Sequence, residues 1–331
     1  MTENKLFKIG ITHGDFNSTN YEIIMKALSE PKLLELCTPV LYGLSKVASY
    51  YRKTLDMNDF AFQFIKNIEQ IALKKPNLFN ISDQEMKIEM GIPTRLSASS
   101  ALSSLQIASN DLKNNDIDAI VTTPLSTSQI EANSTFKGHN HFFENNFKSS
   151  GTMLMLVADE IKMGLLSHHT TLSQVSQRLS VELLLKKIRI LHYSLLTDFL
   201  ISNPKIAVLS FNHTKNGAEE KEKIIPAINQ AFEEKINVFG PFLSTELFEN
   251  GSYRNFDAIV GLHYEQAMTP FRLLSEDRGI FYTAGLPIVR TSPIHHVNFK
   301  NVGKNQASGQ SFRNAIYVAI DILRNRREMK G

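Results

Sequence analysis

Imidazoles at strand ends are the side chains of this chain whose type and spacing most invite chemistry. Of its ten histidines, His13, His139, His141, His168, His169, His213, His263 and His295 fall at predicted strand ends or in loops. Three separate strand ends offer one each, at His168/His169, His213 and His263. A divalent cation held by such imidazoles would act as a Lewis acid on a substrate hydroxyl, or on the carbonyl formed when that hydroxyl is oxidised. A single loop histidine is more often a hydrogen-bonded surface residue, so the metal reading rests on the coincidence of three.

Further groups sit in similar places. The run Phe136-Lys137-Gly138-His139-Asn140-His141-Phe142-Phe143 combines a glycine, which lets backbone approach a ligand closely, with polar side chains. Read without a ligand, it is a turn into a helix anchored by Phe142 and Phe143. Thr122-Thr123-Pro124 ends a strand and would set hydroxyls and N–H groups at a helix start, as an anion site or simply as a cap. Arg272, Arg278 and Arg290 lie near further strand ends and could fork a phosphate or carboxylate. No G-x-G-x-x-G follows the first strand, where Gly14-Asp15-Phe16-Asn17-Ser18-Thr19-Asn20 has one glycine, so a Rossmann mode of cofactor binding has no support. P-loop, H-E-x-x-H and G-x-S-x-G motifs are missing too.

The elements that must position these groups follow from hydrophobic periodicity. Phe7 to Thr12, Pro39 to Gly43, Ala119 to Thr122, Ile206 to Ser210 and Ala258 to Leu262 read as buried strands. Tyr21 to Leu28, Ser97 to Leu112, Val181 to Leu200, Glu219 to Phe232 and Ser311 to Arg324 carry apolar residues at helical spacing. Near-continuous apolar strands separated by helices predict an α/β fold with a mostly parallel sheet covered on both faces. In such sheets ligands gather beyond the carboxyl ends of the strands, where most of the histidines lie. The 331 residues suit two domains with a cleft between them. They are expected at residues 1–125 plus 290–331 and at residues 126–289.

Composition narrows the function classes. Apolar and charged fractions of 42% and 21% are those of a globular protein. A net charge of +3 without a dense basic run gives no support to nucleic-acid binding. The apolar runs are strand-sized, well short of the roughly 20 residues of a membrane helix. The polar start of the chain and the single Cys37 point to the cytoplasm and leave no internal disulfide.

Several segments, taken together, resemble the PdxA family of 4-hydroxythreonine-4-phosphate dehydrogenases. They are Ile11-Thr12-His13-Gly14-Asp15 with Tyr21-Glu22, Val121-Thr122-Thr123-Pro124, Gly138-His139, Ser167-His168-His169, Asn212-His213, and Gly285-Leu286-Pro287-Ile288-Val289-Arg290-Thr291-Ser292-Pro293. They occur in the family's order and are followed by a similar last helix. The resemblance implies an isocitrate/isopropylmalate dehydrogenase-like architecture and a homodimer, with an active site in the interdomain cleft completed across the dimer interface. It also implies NAD-dependent oxidation of 4-phosphohydroxy-L-threonine, in pyridoxal phosphate biosynthesis, to a β-keto acid that loses carbon dioxide. By the same resemblance His169, His213 and His263 would hold a divalent metal (Zn, Mg or Co). His139, Asn140, Arg272 and Arg290 would contact the phosphorylated substrate, and His295 the cofactor.

The match is uneven at those positions. His169, His139 and Arg290 fall directly on family positions. The second metal position reads Asn212-His213-Thr214 in a shortened loop, and the third reads Tyr264, one residue beyond His263. Thr127 and Arg272 stand where the family has lysines, and Phe281 stands at an asparagine. Ser18-Thr19-Asn20 replaces a glycine-rich stretch, and His295-His296-Val297-Asn298 replaces His-Gly-Thr-Ala, so side chains would fill space that glycine leaves open for ligands. Two expectations follow. The chain is an active dehydrogenase of this substrate or of a relative such as a phosphorylated threonate, or it is a non-catalytic paralogue that binds a small molecule or a partner.

Overall fold

The computed structural model describes residues 6–130, 135–167, 171–214 and 216–329. In chain order the strands are β1 (Phe7–Thr12), β2 (Cys37–Gly43), β3 (Gln63–Ile65), β4 (Asn77–Asn80), β5 (Ala119–Thr122), β6 (Met153–Ala158), β7 (Ile161–Leu165), β8 (Lys205–Leu209), β9 (Asn237–Phe242), β10 (Ala258–Gly261), β11 (Ile280–Ala284) and β12 (Val289–Pro293). The helices are α1 (Asn20–Leu28), α2 (Pro31–Leu36), α3 (Ser45–Thr54), α4 (Arg95–Lys113), α5 (His139–Asn146), α6 (Leu172–Arg178), α7 (Val181–Thr197), α8 (Ile225–Glu233), α9 (Ser244–Glu249), α10 (Tyr264–Ser275) and α11 (Gln310–Glu328). The α/β class read from periodicity is the class observed.

The chain forms two compact units, Met1–Phe147 with Ile288–Leu323, and Lys148–Pro287 with Arg324–Gly331. Helix α5, placed with the second domain in the sequence reading, belongs to the first unit. The last turn of α11, from Arg324, goes with the second.

In the first unit the strands run in the order β3-β4-β2-β1-β5-β12, and every pairing is parallel. Burial explains the composition of these strands: β2 and β5 are buried at every position, as a parallel sheet covered on both faces demands. Helix α4 packs on β1 and β2 through small residues, among them Ser97, Ala98, Ser100, Ala101 and Ser104. Its start is fixed by a capping box, with Ser97 N–H donating to Thr94 Oγ1 (3.1 Å) and Thr94 N–H to Ser97 Oγ (3.2 Å).

The second unit has the order β11-β6-β7-β10-β8-β9. Here β6 is antiparallel to both β7 and β11, while β7, β10, β8 and β9 pair in parallel. The exception has a local cause, because only Asp159 and Glu160 separate β6 from β7, and so short a link permits only a hairpin. Helix α7 buries Leu184, Leu185, Ile188, Leu191 and Leu195, and a π-helical turn, Glu220–Ile224, leads into α8. The end of α11 is fastened in this unit through Asp198, a buried carboxylate. Asp198 accepts from Ser194 Oγ (2.5 Å), Tyr282 Oη (2.6 Å) and Arg326 Nε (2.6 Å), and its carbonyl accepts from Asn325 Nδ2 (2.7 Å). No helix among the described residues is long and apolar enough to cross a membrane.

Candidate active site

In the first unit the chemistry-bearing residues gather around Arg290. Strand β12 lies beside β5 with Arg290 opposite Ile120, so this arginine is inside a strand rather than at its end. Its side chain is only 4% exposed. Nε and Nη2 donate to Thr122 Oγ1 (3.1 and 2.6 Å), Nη1 donates to Asn140 Oδ1 (3.3 Å), and the guanidinium carbon lies 5.8 Å from the Phe143 ring centre. Burial pushes the guanidinium down to about 9, which leaves it charged at neutral pH.

Helix α5 starts beside it. Gly138 forms the N-cap with φ of +113°, and a Cβ there would meet nothing within 4 Å. The backbone is therefore open at the positive end of the helix, an end that favours an anion. His139 occupies the first turn with its ring edge-on to Phe136, 5.7 Å between centres. Asn140 and Arg290 are thus brought together, with His139 one residue away. Thr127 is exposed in a 3-10 turn.

The loop after β1 is different. His13, Asp15, Asn17 and Ser18 are 0% exposed, and Thr19 and Asn20 are 1% exposed. The Ser18-Thr19-Asn20 side chains, expected to fill space open to ligands, are turned inward instead. Ser18 Oγ donates to the Asp15 carbonyl (2.7 Å) and Asn20 Nδ2 to the Pro124 carbonyl (2.7 Å). Gly14 has φ of +61°, and a Cβ on it would lie 2.4 Å from the Pro124 carbonyl oxygen, so this glycine serves the turn itself. Asp15 accepts from Asn17 N–H and Ser97 Oγ, both at 3.0 Å. His13 Nε2 lies 3.1 Å from Ser100 Oγ, and the His13 backbone N–H donates to Ser104 Oγ (3.2 Å). Burial holds this imidazole down at about 4, so it is neutral at pH 7, and at 0% exposure it is enclosed in the core.

His295 is half-exposed where the chain leaves β12. The loop behind it is pinned from one side. Asn298 accepts at its carbonyl from Thr19 N–H (3.0 Å), Glu22 Oε1 accepts from Ala307 N–H (2.8 Å), and Lys26 Nζ donates to the Ala307 carbonyl (2.9 Å). From His295 to Gln306 every residue is half-exposed or exposed, which leaves the segment accessible to a dinucleotide. Glu22 and Lys26 also pair with each other at 2.9 Å, and their spacing on α1 was the overlooked signal.

In the second unit β10 pairs in parallel with both β7 and β8, so three carboxyl ends lie side by side. His263 is the N-cap of α10 and makes no side-chain capping bond. Its ring is half-buried, 6.4 Å from Phe211. Burial pulls its pKa below the usual value, against the opposing charge of Glu265, so a lone pair is available at neutral pH. His213 is exposed in the loop after β8. His169 lies outside the described residues. Among the described residues no three His, Cys, Asp or Glu side chains converge. The donor chemistry of His213 and His263, two imidazoles at neighbouring strand ends, fits a divalent cation. Tyr264 fits less well, because burial raises its phenol pKa and keeps it protonated.

Arg272 is half-exposed in the last turn of α10, and its charge partly offsets the rise at Tyr264. Arg278 is ion-paired with Glu160 at 2.5 Å. Phe281 is an interior residue of β11, opposite Leu156.

Residues 35–319 match the model of the family described as pyridoxal phosphate biosynthetic protein PdxA. The chain belongs to the PdxA family. A relative from Bacteroides thetaiotaomicron, named 4-hydroxythreonine-4-phosphate dehydrogenase, is 38% identical over 100% of this chain and 92% of its own. Another, from Oceanobacillus iheyensis, is 31% identical over 95% of this chain and 97% of its own, and carries a provisional name as a D-threonate 4-phosphate dehydrogenase. The solved structure of a 4-hydroxythreonine-4-phosphate dehydrogenase from Burkholderia phymatum aligns with a TM-score of 0.78 over 96% of this chain and 99% of that one. At 23% identity that likeness speaks to the fold alone. The PdxA match takes in both clusters, the one around Arg290 and the one around His263.

Proposed function

We propose that this PdxA-family chain is an oxidoreductase of pyridoxal phosphate biosynthesis, the NAD-dependent, metal-assisted dehydrogenase of 4-phosphohydroxy-L-threonine, working as a homodimer. The observation that carries the reading is Arg290, a buried and charged guanidinium beside the open N-terminus of α5. A guanidinium buried to 4% exposure is a costly charge to desolvate, and a phosphate bound beside it offsets that cost. Arg290 donates to phosphate oxygens, the first-turn N–H groups of α5 add oriented donors, and His139 and Asn140 line the approach.

His213 and His263, with His169, would hold the divalent cation (Zn, Mg or Co), and His295 with the loop behind it would contact NAD. Bound together, these groups supply a hydride acceptor and a Lewis acid for the substrate hydroxyl. The chain's part is to fix the phosphate and so set the reacting carbon in one place. Oxidation gives a β-keto acid, whose carboxyl carbon leaves as carbon dioxide while its bonding electron pair stays on the substrate. Arg272, half-exposed on α10, adds a cation for the substrate's acidic groups.

The Oceanobacillus relative favours a second substrate, a phosphorylated threonate. Supplying each substrate with NAD and Zn²⁺, Mg²⁺ or Co²⁺, and following NADH absorbance, tests both. The expected result is turnover with 4-phosphohydroxy-L-threonine that falls about a thousandfold in kcat/KM in Arg290→Met. Turnover with the threonate alone would move the assignment to it. A folded protein inert to both with every cation would overturn the reading in favour of a non-catalytic paralogue.

A further inference from the structure

Three strand ends of the second unit are tied together by side chains that the proposed mechanism does not use. Gln266, in the first turn of α10, donates from Nε2 to the Ser210 carbonyl (2.7 Å) and accepts at Oε1 from the Leu262 N–H (2.9 Å). The Leu262 carbonyl accepts from Ser167 Oγ (3.1 Å). Ser210 Oγ donates to Glu220 Oε1 (2.8 Å), as does the Asn212 N–H (2.8 Å), and Asn212 Nδ2 donates to Glu220 Oε2 (3.0 Å). Glu220 is 0% exposed, on the π-helical turn. Asn212 and Leu262 immediately precede His213 and His263. The linked backbone is therefore the backbone that carries the strand-end imidazoles.

The side-chain types suit this task. Linking a carbonyl of one loop to an N–H of another takes a group with both a donor and an acceptor, which a carboxamide has and a carboxylate or ammonium lacks. Gln266 is the third residue of α10, where a glutamine ordinarily reaches back to cap its own helix. Here Oε1 reaches past the N-cap His263 to Leu262, and Nε2 is left to hold Ser210. On the other side Glu220 accepts from three donors of the loop after β8, one of them a backbone N–H, where a surface residue would leave them to water.

We propose that Gln266, braced by Glu220, is a positioning residue that sets the His213- and His263-bearing strand ends in mutual register, and that tight binding of a divalent cation depends on it. This rests on the assignment of His213 and His263 as metal ligands. Gln266 touches neither imidazole and acts through the backbone on either side of them. Loss of such an outer hydrogen bond typically lowers metal affinity roughly 10–100-fold.

The test compares wild type with Gln266→Glu and Gln266→Met. Gln266→Glu keeps the acceptor for Leu262 and loses the donor to Ser210, whereas Gln266→Met loses both. Titration with Co²⁺ alone, followed by its visible absorption, is expected to show affinity about tenfold weaker in Gln266→Glu and about a hundredfold weaker in Gln266→Met, with a changed band shape. Amide exchange at Asn212 and His213 is expected to speed up in both variants. A glutamine that merely caps α10 predicts a Gln266→Glu variant with wild-type Co²⁺ affinity and exchange, and that result would overturn the proposal. Should wild type bind no Co²⁺, the metal assignment falls by itself. Amide exchange then decides the register: faster exchange in Gln266→Glu supports it, and unchanged exchange refutes it.

Discussion

The loop after β1 and the loops after β8 and β10 are made of similar polar residues at similar places in a parallel sheet, yet they have opposite fates. After β1, His13, Asp15, Asn17, Ser18 and Asn20 are buried and make the hydrogen bonds they have with one another, with α4 and with Pro124, and His13 Nδ1 and Asn20 Oδ1 are left without a partner among the described residues. In the second unit Gln266, Glu220 and Ser167 hold the backbone, while His213 stays exposed and His263 half-buried. A histidine at a strand end is thus not by itself a ligand. What separates the two regions is whether neighbouring side chains grip the backbone or the imidazole.

The contrast can be broken most directly at His263. Because His263 makes no capping bond, His263→Ala should leave the melting temperature nearly unchanged and lower Co²⁺ affinity about a thousandfold, more than loss of a supporting bond would. His13→Asn should do the reverse, leaving Co²⁺ binding as it is. An equal effect of the two variants on metal binding would erase the distinction.

His13 supplies the next largest effect. Its pKa is 6.5 unfolded and about 4 folded, so between those values the unfolded chain binds the extra proton and stability falls as pH falls. The loss should reach about 3 kcal/mol near pH 4. Denaturant melts across this range in wild type and His13→Asn check it, the variant being flatter. The smallest effect is expected of Ser100→Ala, which strips the buried His13 Nε2 of its partner and should cost about 2 kcal/mol at pH 7. A cost near zero would mean that the imidazole is held by packing against Phe16 and Tyr21 alone.

Much of the scaffold was legible in the sequence. Strand β1 has the predicted bounds, and helices α4, α7 and α11 match their periodic segments to within a few residues, because long amphipathic or continuously apolar runs state their own burial. The short α2, α6 and α9 carry too few turns to show a period. The site was legible in residue types and opaque in their surroundings. Asn140 and Arg290 were each named as substrate contacts, through the family resemblance rather than through physics, and their contact with each other was not foreseen. The burial of His13 was invisible, because it depends on Ser100 and Ser104 of α4, distant in sequence and unremarkable in type. Gln266 was passed over for the same reason: a glutamine announces nothing until its two partners, from different loops, are seen on either side of it.

The fastening of α11 at Asp198 has a practical side. Shortening the chain before Asn325, or fusing a rigid partner closely behind Arg326, would strand a buried carboxylate with only hydroxyl donors. The affinity handle for purification therefore belongs at the other terminus, or behind a long flexible spacer.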